Sequence, residues 1–395
     1  MNGASDFHRA FAKELLSEPY VGKYNELRFG PAPDVKVGFP GRLIVSKRKV
    51  KAQARQRLGR SLGRHVRNRY LPVAARAVGS HARSGSILRL AETFQNIDEH
   101  EQAWNLLADE QSRDVYVRLL ALRVFGTRHV RLPLDDERYW QEHAIASACE
   151  PVGDAIPGAL GFRLALFDLS PFGYELTVRC RAASILAHCL QRQYELIRPK
   201  GTVTIEPGDI VIDGGAAWGE TALMFSSQAG PTGRVIAVEC VPDVLEVFNE
   251  NMALNPSISG GGRVELVTQA LWNVSDETVL FEDNGPGSKV VGLSETASAA
   301  TARTTVSIDD LVRRLGLPRV DFIKMDIEGS ELAALEGARE TLKRFRPKLA
   351  LSAYHKPEDL HVLPQYLSDL GVGYSLFLDH FSNHFEETVL FAVAP

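Results

Sequence analysis

The 395-residue sequence is poor in cysteine and has neither a long apolar run nor an excess of basic residues. Its four cysteines form no Cys-x-x-Cys pair and have no histidines at metal-binding spacing, which argues against a disulfide framework and a structural zinc site. No stretch approaches the roughly 18 consecutive apolar residues of a membrane-spanning helix. The net charge of -4 gives no reason to expect a nucleic-acid partner.

The N-terminal residues also lack the charged-then-apolar pattern of a secretion signal, so the cytoplasm is the expected location. Within this sequence of modest charge, the segment from Lys47 to Arg69 is an exception, with ten Lys or Arg and no acid. Leu58, Leu62 and Val66 recur every four residues, which predicts a basic helix with one apolar stripe. Such a helix could dock through its leucines on the protein itself, or it could attract an anionic membrane or a phosphate-bearing glycan carrier.

The length indicates more than one domain. Residues 1–198 show mostly helical periodicity, as in 87–107, 112–125 and the stretch from Thr177, and we expect them to select the acceptor or to form a homo-oligomer. From 199 to 395, apolar β-branched runs alternate with helical periods, the pattern of parallel βαβ units. The predicted strands are 209–215, 234–240, 263–270, 320–326, 347–354, 374–379 and 388–393, and the predicted helices are 219–229, 242–254, 330–344 and 357–370.

The segment 277–305 interrupts this alternation. It mixes short strand-like pieces with glycine, proline and asparagine, which predicts a hairpin followed by a flap. The Ser, Thr and Ala content of residues 294–305 predicts low local order.

A glycine turn follows the first predicted strand, in the segment GDIVIDGGAAWGET from 208 to 221. Glycines at this corner allow close approach of a ligand, as in Rossmann-like folds. Asp213 immediately before the glycines would repel a pyrophosphate, whereas the sulfonium and ammonium of S-adenosylmethionine would be attracted by it. The next strand ends at Glu239, where a carboxylate can bind ribose hydroxyls. The pattern favours a methyl donor over NAD.

A second group of ionisable residues lies at the end of the strand before 330. Lys324, Asp326 and Glu328 alternate along it and therefore share one face. The two carboxylates could hold the donor's ammonium, accept a substrate proton or ligate Mg²⁺, while a structural ion pair of Lys324 with Asp326 is the alternative. The following strand delivers Tyr354 and His355 to the same edge, and His355 is the candidate general base.

Four segments together resemble the FkbM-type family of S-adenosylmethionine-dependent methyltransferases: VIDGGAAWGETAL, AVECVPDVLEVFNENMALN, VDFIKMDIEGSELAALEGA and LSAYHKPEDL. The resemblance covers residues 206–393, and more loosely LFDLSPFGYELTV and LQRQYEL before them. It implies an α/β Rossmann-like class I methyltransferase fold, a seven-stranded mixed sheet whose last strand is antiparallel. It also implies O-methylation, commonly of sugars or polyketide-type products, with S-adenosylhomocysteine released.

The resemblance assigns the donor site to the first corner, the ribose position and the end of the third strand. The expected cofactor-binding residues are Asp213, Gly214, Gly215, Ala216, Trp218, Glu220, Thr221, Glu239, Cys240, Gln269, Ala270, Leu271 and Asp326. The expected catalytic residues are Lys324, Asp326, Glu328 and His355, with Asp326 and Glu328 as ligands if Mg²⁺ binds.

The resulting interpretation is an O-methyltransferase acting on a sugar, a polysaccharide or a glycosylated natural product. Two other interpretations stay open at this point. One is an oxidoreductase that uses NAD or a nucleotide sugar, because the folds overlap. The other is a non-catalytic scaffold of a membrane or glycan-assembly complex.

Overall fold

The computed structural model describes residues 5–15, 93–126, 130–132, 136–158, 162–282, 289–290 and 300–395. The basic segment 47–69 and the stretch 87–92 lie outside these ranges. The described residues group into two compact units. One comprises the described residues up to Trp140 together with Ser382–Glu386, and the other comprises Gln141–Phe381 with Glu387–Pro395.

Helices form the regular structure of the first unit in its described part. The described residues contain helices α1 to α12, and the first three span Asp6–Leu15, Ile97–Leu106 and Glu110–Phe125. Helix α4, Glu137–Ser147, has residues in both units. Asp109 caps α3 by accepting a hydrogen bond from the backbone N–H of Ser112 at 2.8 Å, as expected for an N-cap aspartate. Phe7 and Phe11 of α1 are buried, and Phe7 packs against Trp104 of α2.

The remaining helices belong to the second unit: α5 to α12 span Ala182–Ser184, Glu220–Ala229, Pro242–Leu254, Pro256–Ser259, Ile308–Arg314, Glu331–Glu336, Arg339–Phe345 and Asp359–Asp369. A π-helix, Ile185–Leu190, continues directly from α5. None of the helices in the described ranges has both the length and the apolar character required to cross a bilayer.

The strands β1 to β16 span Gly153–Pro157, Arg163–Asp168, Thr177–Cys180, Leu196–Arg198, Gly201–Val203, Ile210–Gly214, Arg234–Val238, Val264–Val267, Ala270–Leu271, Thr278–Glu282, Lys289–Val290, Ala300–Val306, Phe322–Met325, Lys348–Ser352, Ser375–His380 and Thr388–Val393. Seven of them form the main sheet in the order β15-β16-β14-β13-β6-β7-β8. All pairs are parallel except those that involve β16. In chain order this is 6-7-5-4-1-2-3 with only the last strand reversed, which confirms the expected class I methyltransferase fold.

A three-stranded antiparallel sheet, β1-β2-β3, precedes the main sheet. Its apolar side packs on α6, where Phe167 and Val178 join Leu223 and Met224 in one core cluster. Two asparagines at the C-terminal end of α7, one in its last turn and one at its C-cap, bind the free edge of β3. Their side-chain amides both accept from and donate to the backbone of Thr177 and Arg179. The asparagines, Asn251 and Asn255, are buried, so their polar atoms are matched as burial requires.

Several expected elements are corrected by the structure. The helical period from Thr177 is wrong for its first residues, since Thr177–Cys180 is a strand that buries Val178 and Cys180. The expected helix 330–344 is interrupted at Gly337, where a Cβ would lie 2.2 Å from the carbonyl oxygen of Trp272. The expected low order of 294–305 is wrong for Ala300–Val306, which pairs with β10 and β9.

The two compact units are divided between Trp140 and Gln141, which is earlier in the chain than the expected boundary at residue 198. The stretch 141–198 belongs with the methyltransferase-type sheet, because its strands pack on α6 and its Arg179 forms an ion pair with Glu250 of α7 at 2.7 Å. These contacts make 141–198 part of the larger core.

Candidate active site

A cavity open to solvent, about 450 Å³ when the space at its mouth is included, lies at the carboxyl ends of the central parallel strands. This is where open α/β sheets place their ligand sites. The described residues that line it are Gly215, Val238, Glu239, Cys240, Val241, Gln269, Ala270, Leu271, Asp326, Ile327, Glu328 and Ser330. Three of these side chains are carboxylic acids, and none of these residues is Lys, Arg or His. The cavity therefore presents negative charge to whatever binds in it.

The turn after β6 approaches the end of β13 very closely. Gly215 has φ of 75°, and a Cβ on it would lie 1.9 Å from the carbonyl oxygen of Asp326. Only glycine fits this position, both because of its left-handed backbone and because of the space. The contact fixes Gly215 against Asp326 at the wall of the cavity.

The backbone amides of this turn are engaged within the protein. Those of Gly215 and Ala216 donate to the carbonyl oxygen of Val238, at 2.9 and 3.1 Å. The amide of Ala217 donates to the Glu239 carboxylate at 3.0 Å. A phosphate-binding turn offers such amides to its anion, so this arrangement disfavours a pyrophosphate ligand.

Asp213 and Lys324 pair with each other beneath the turn. The two residues face each other across the parallel strands β6 and β13, and their charged atoms are 3.2 Å apart. The side chain of Lys324 is 2% exposed and that of Asp213 is 0% exposed. The Lys324 ammonium also donates to the carbonyl oxygens of Gly214 and Gly215, and the Thr221 hydroxyl donates to Asp213 at 2.7 Å. The alternative pairing of Lys324 with Asp326 is not the one formed, and neither Asp213 nor Lys324 lines the cavity.

Glu239 directly follows β7 and brings its carboxylate to the cavity wall. Besides the amide of Ala217 it accepts that of Val241, at 2.9 Å. Burial raises the pKa of Glu239, and the hydrogen bonds from Val241, Ala217 and Cys240 oppose this rise. The carboxylate is thus held in one orientation and retains further lone pairs for ligand hydroxyls.

Asp326 is held by two tyrosine hydroxyls from different parts of the chain. Tyr194 donates to Oδ2 at 2.9 Å, and Tyr354 donates to Oδ1 at 3.2 Å. Burial alone would raise the pKa of Asp326, but the positive charges of His355 and Lys324 and the hydrogen bonds to the carboxylate lower it. Asp326 therefore presents a negative charge to the cavity.

His355 lies among three carboxylates. Its Nδ1 is 2.9 Å from Oε1 of Glu331, and its Nε2 is 3.4 Å from Oδ1 of Asp326 and 3.5 Å from Oε2 of Glu328. Burial lowers the pKa of His355, but the hydrogen bond and charge of Glu331 and the charges of Asp326 and Glu328 outweigh burial and raise it to about 10. The imidazole is thus a cation at neutral pH, and it must lose this proton before it can act as a base.

The structure brings together most of the residues predicted for catalysis and about half of those predicted for the cofactor. His355, Asp326 and Glu328 form one cluster. The predicted cofactor residues on the cavity wall are Gly215, Glu239, Cys240, Gln269, Ala270, Leu271 and Asp326. Those behind the wall are Asp213, Gly214, Ala216, Trp218, Glu220 and Thr221. Among these, Trp218 packs with Leu164 in an apolar cluster, and Glu220 accepts a hydrogen bond from Ser184.

Two residues of the cluster were missed by the sequence analysis. Glu331 is completely buried, and the only available signal was its position three residues after Glu328 in the first turn of α10. Tyr194 stands well before the first strand of the main sheet, and its contact spans 132 positions of the chain. No local pattern could reveal such a contact.

Residues 203–375 match the Methyltransferase FkbM domain family. The methyltransferase sdnD of Sordaria araneosa is 25% identical over 159 residues, which are 33% of this chain and 60% of that protein. The chain therefore spans less than two thirds of the length of this relative.

Two of the similar solved structures illustrate the likeness, both with TM-scores below 0.5. The FkbM methyltransferase from Methylobacillus flagellatus is 19% identical with a TM-score of 0.49, and the alignment covers 81% of this chain and 65% of that one. Fibrillarin from Aeropyrum pernix, solved with S-adenosylmethionine, is 16% identical with a TM-score of 0.34 and coverages of 60% and 93%. The fold assignment rests on the strand order of the main sheet, and the matched segment 203–375 belongs to the FkbM methyltransferase family.

Proposed function

We propose that this protein transfers a methyl group from S-adenosylmethionine to a hydroxyl oxygen of a sugar, a polysaccharide or a glycosylated natural product. The observation that carries the donor assignment is the charge of the cavity, whose described lining has three carboxylates and no basic side chain. A sulfonium and an ammonium are attracted by such a wall, whereas two phosphates are repelled. The match of residues 203–375 to the Methyltransferase FkbM domain family supports methyl transfer. The hydroxyl acceptor is proposed from the resemblance of the four sequence segments to that family.

The residues on the cavity wall fit this donor. Glu239 is oriented by two backbone amides and would accept the ribose hydroxyls. The segment Gln269–Leu271 would line the adenine, and Asp326 would face the methionine part. When bound, S-adenosylmethionine supplies the electrophilic methyl group: its C–S bond breaks with the electron pair left on sulfur, while the acceptor oxygen forms the new C–O bond.

The chain's own contribution is to place the acceptor oxygen about 3 Å from the methyl carbon, to exclude water and to accept the hydroxyl proton. Asp326 and Glu328 are the cavity-lining groups that can take this proton. His355 stabilises their negative charge while it is an imidazolium, and it becomes a base only after it has lost its own proton. Replacement of His355 by alanine should lower turnover by about 100-fold and leave donor binding in place.

Calorimetric titration with S-adenosylhomocysteine, NAD and a uridine diphosphate sugar tests the donor assignment. We expect saturable binding of S-adenosylhomocysteine alone. The Glu239→Gln variant should bind it roughly 10 to 100 times more weakly, because a hydrogen bond to a charged group is lost. The matched control is Glu246→Gln, an exposed glutamate of α7. Binding of NAD or the nucleotide sugar without S-adenosylhomocysteine would favour the oxidoreductase instead.

The acceptor class requires a separate experiment. Enzyme and a donor with a ¹³C-labelled methyl group are incubated with a panel of sugars, glycosylated natural products and cell extracts. We expect a product heavier by one CH₂ group whose labelled carbon has the chemical shift of an O-methyl group. A labelled methyl on nitrogen or carbon would contradict the hydroxyl acceptor and leave the donor assignment intact.

A further inference from the structure

We propose that Asp326, Glu328 and His355 form a binding site for a divalent transition-metal cation at the wall of the donor cavity. This inference rests on the proposed function, because it adds a metal to the same site. The ligand atoms are Oδ1 of Asp326, Oε2 of Glu328 and Nε2 of His355, and Glu331 orients the imidazole from behind.

The separations between these atoms suit a common cation. Nε2 of His355 is 3.4 Å from Oδ1 of Asp326 and 3.5 Å from Oε2 of Glu328. Ligand atoms that each lie about 2.1 Å from one ion at near-tetrahedral angles are roughly 3.4 Å apart. Both carboxylates are thus at a suitable separation from the imidazole nitrogen, and one ligand atom each of Asp326, Glu331 and His355 lie within 4.8 Å of one another. The side chain of Glu328 is 32% exposed, so it can adjust towards the same ion.

The buried imidazole supplies an independent observation. The side chain of His355 is 7% exposed, and its Nε2 has no hydrogen-bond partner although it is buried and faces two carboxylates. Its other nitrogen, Nδ1, lies 2.9 Å from Glu331, which is the arrangement that orients metal-binding histidines in proteins. Oε1 of Glu331 also accepts the amide of Ile327, so this carboxylate is fixed as well.

The charge of the cluster also favours binding of a cation. Asp326, Glu328 and Glu331 surround a single imidazole, so three carboxylates share one positive charge. Glu331 is fully buried and the other two are partly exposed. Tyr194 and Tyr354 hold the Asp326 carboxylate by its two oxygens, and a ligand held in this way loses little freedom on binding a metal. The excess of negative charge and the fixed carboxylate of Asp326 both favour a cation at this position.

The donor set also selects among cations. Mg²⁺ and Ca²⁺ prefer oxygen ligands, whereas an imidazole nitrogen suits Zn²⁺, Fe²⁺ and Ni²⁺. Mn²⁺ suits the two carboxylates and serves as the spectroscopic probe. Because Asp326 and Glu328 line the cavity, the open positions of the ion would face the acceptor. A cation there would make an acceptor hydroxyl easier to deprotonate.

Mn²⁺ alone is the probe that tests this site. The full-length protein is treated with a chelator, dialysed and titrated with Mn²⁺ while the electron paramagnetic resonance signal of the free ion is followed. We expect one saturable site per chain and a nitrogen coupling in pulsed spectra, which reports coordination by the imidazole. Mg²⁺ should compete at least about 10 times more weakly than Zn²⁺.

Three variants distinguish coordination of Mn²⁺ by His355 from a general attraction of the ion to negative charge. His355→Gln should abolish the nitrogen coupling and weaken Mn²⁺ binding by more than about 10-fold. Glu331→Gln should weaken binding roughly 10-fold and keep the coupling, as expected for a residue that acts through the ligand. The control Glu358→Gln removes an exposed charge three residues from His355 and should change neither quantity.

Two results would overturn the proposal: no saturable Mn²⁺ binding up to about 1 mM, the weak end of the range for metal sites in proteins, or binding that is unchanged in His355→Gln. Titration of every variant with S-adenosylhomocysteine verifies that it is folded. The same titration distinguishes a failure of the metal proposal from a failure of the proposed donor. Binding of S-adenosylhomocysteine without Mn²⁺ removes only the metal, whereas binding of Mn²⁺ without S-adenosylhomocysteine removes only the donor assignment.

Discussion

The buried pair of Lys324 and Asp213 joins the glycine turn to the strand that precedes Asp326 and the rest of the candidate cluster. Because both groups are almost inaccessible to water, each depends on the other for charge compensation. Lys324 additionally holds two carbonyl oxygens of the turn. The pair therefore supports the structure of the candidate donor site. The sequence spacing alone does not predict which carboxylate pairs with Lys324.

Removal of Lys324 should destabilise the protein severely. We expect Lys324→Met to lower the free energy of unfolding by about 3 to 5 kcal/mol, because Asp213 is left as an uncompensated buried charge. The double variant Lys324→Met with Asp213→Asn should recover a large part of this loss, since the amide is neutral and can still accept from Thr221. Urea denaturation measures both, and equal loss in the single and double variants would contradict the charge argument.

Glu220 should make stability depend on pH. Burial raises its pKa from 4.5 to about 7, although the hydrogen bonds from its own backbone and from Ser184 oppose the rise. Between these values the unfolded chain has lost the proton and the folded chain has kept it, so the free energy of unfolding falls as pH rises. The total loss above pH 7 is about 3 kcal/mol.

The Glu220→Gln variant should lose this dependence and be more stable than the wild type at pH 8. Denaturant titrations from pH 4 to 8 follow the effect, with Glu246→Gln as the exposed control. An unchanged slope in Glu220→Gln would show that another group is responsible.

At the scale of elements, the turn between β6 and α6 can be tested with two glycines that share a left-handed backbone. Gly215 has φ of 75° and meets the Asp326 carbonyl, whereas Gly230 has φ of 70° and would place a Cβ in open space. Gly230→Ala should cost roughly 1 to 3 kcal/mol of stability for the backbone strain alone, since φ of 70° with ψ of -170° is a region essentially restricted to glycine. Gly215→Ala should cost more and should also abolish binding of S-adenosylhomocysteine. Equal effects of the two substitutions would show that the close approach is unimportant.

The sequence predicts the elements of the sheet well because each central strand is a continuous apolar run, and all seven strands occur within a few residues of their expected ends. It fails where a long-range partner decides the local structure. Thr177–Cys180 is a strand because β2 and two asparagines of α7 supply its hydrogen bonds. The interruption of the expected helix at Gly337 likewise depends on the backbone of Trp272.

In the candidate site, too, some features were predictable from the local sequence and others depend on long-range contacts. Glu239, Asp326, Glu328 and His355 were predictable because each lies within three residues of the carboxyl end of a strand of the main sheet. The neutralisation of Asp213 was not, since it depends on the register of β13 against β6. The negative cavity was expected from Asp213, but it is formed by Glu239, Asp326 and Glu328 instead.

At the scale of the molecule, residues 141–202 should be necessary for the stability of the methyltransferase domain. A fragment of residues 203–395 lacks Arg179 and the small antiparallel sheet, and thus exposes Leu223, Met224 and the buried asparagines of α7. We expect the fragment 141–395 to unfold cooperatively in a thermal scan and the shorter fragment to aggregate or to melt without a transition. A folded 203–395 fragment that binds S-adenosylhomocysteine would contradict this expectation.

The hydrogen bond from Tyr194 to Asp326 has a consequence for domain exchange between relatives. The matched family segment begins at residue 203, so a chimera joined there would take Tyr194 from one parent and Asp326 from the other. Such hybrids would inherit a site with mismatched halves even though every residue of the family motif is present. A chimera joined near residue 141 instead takes Tyr194 and Asp326 from the same parent protein.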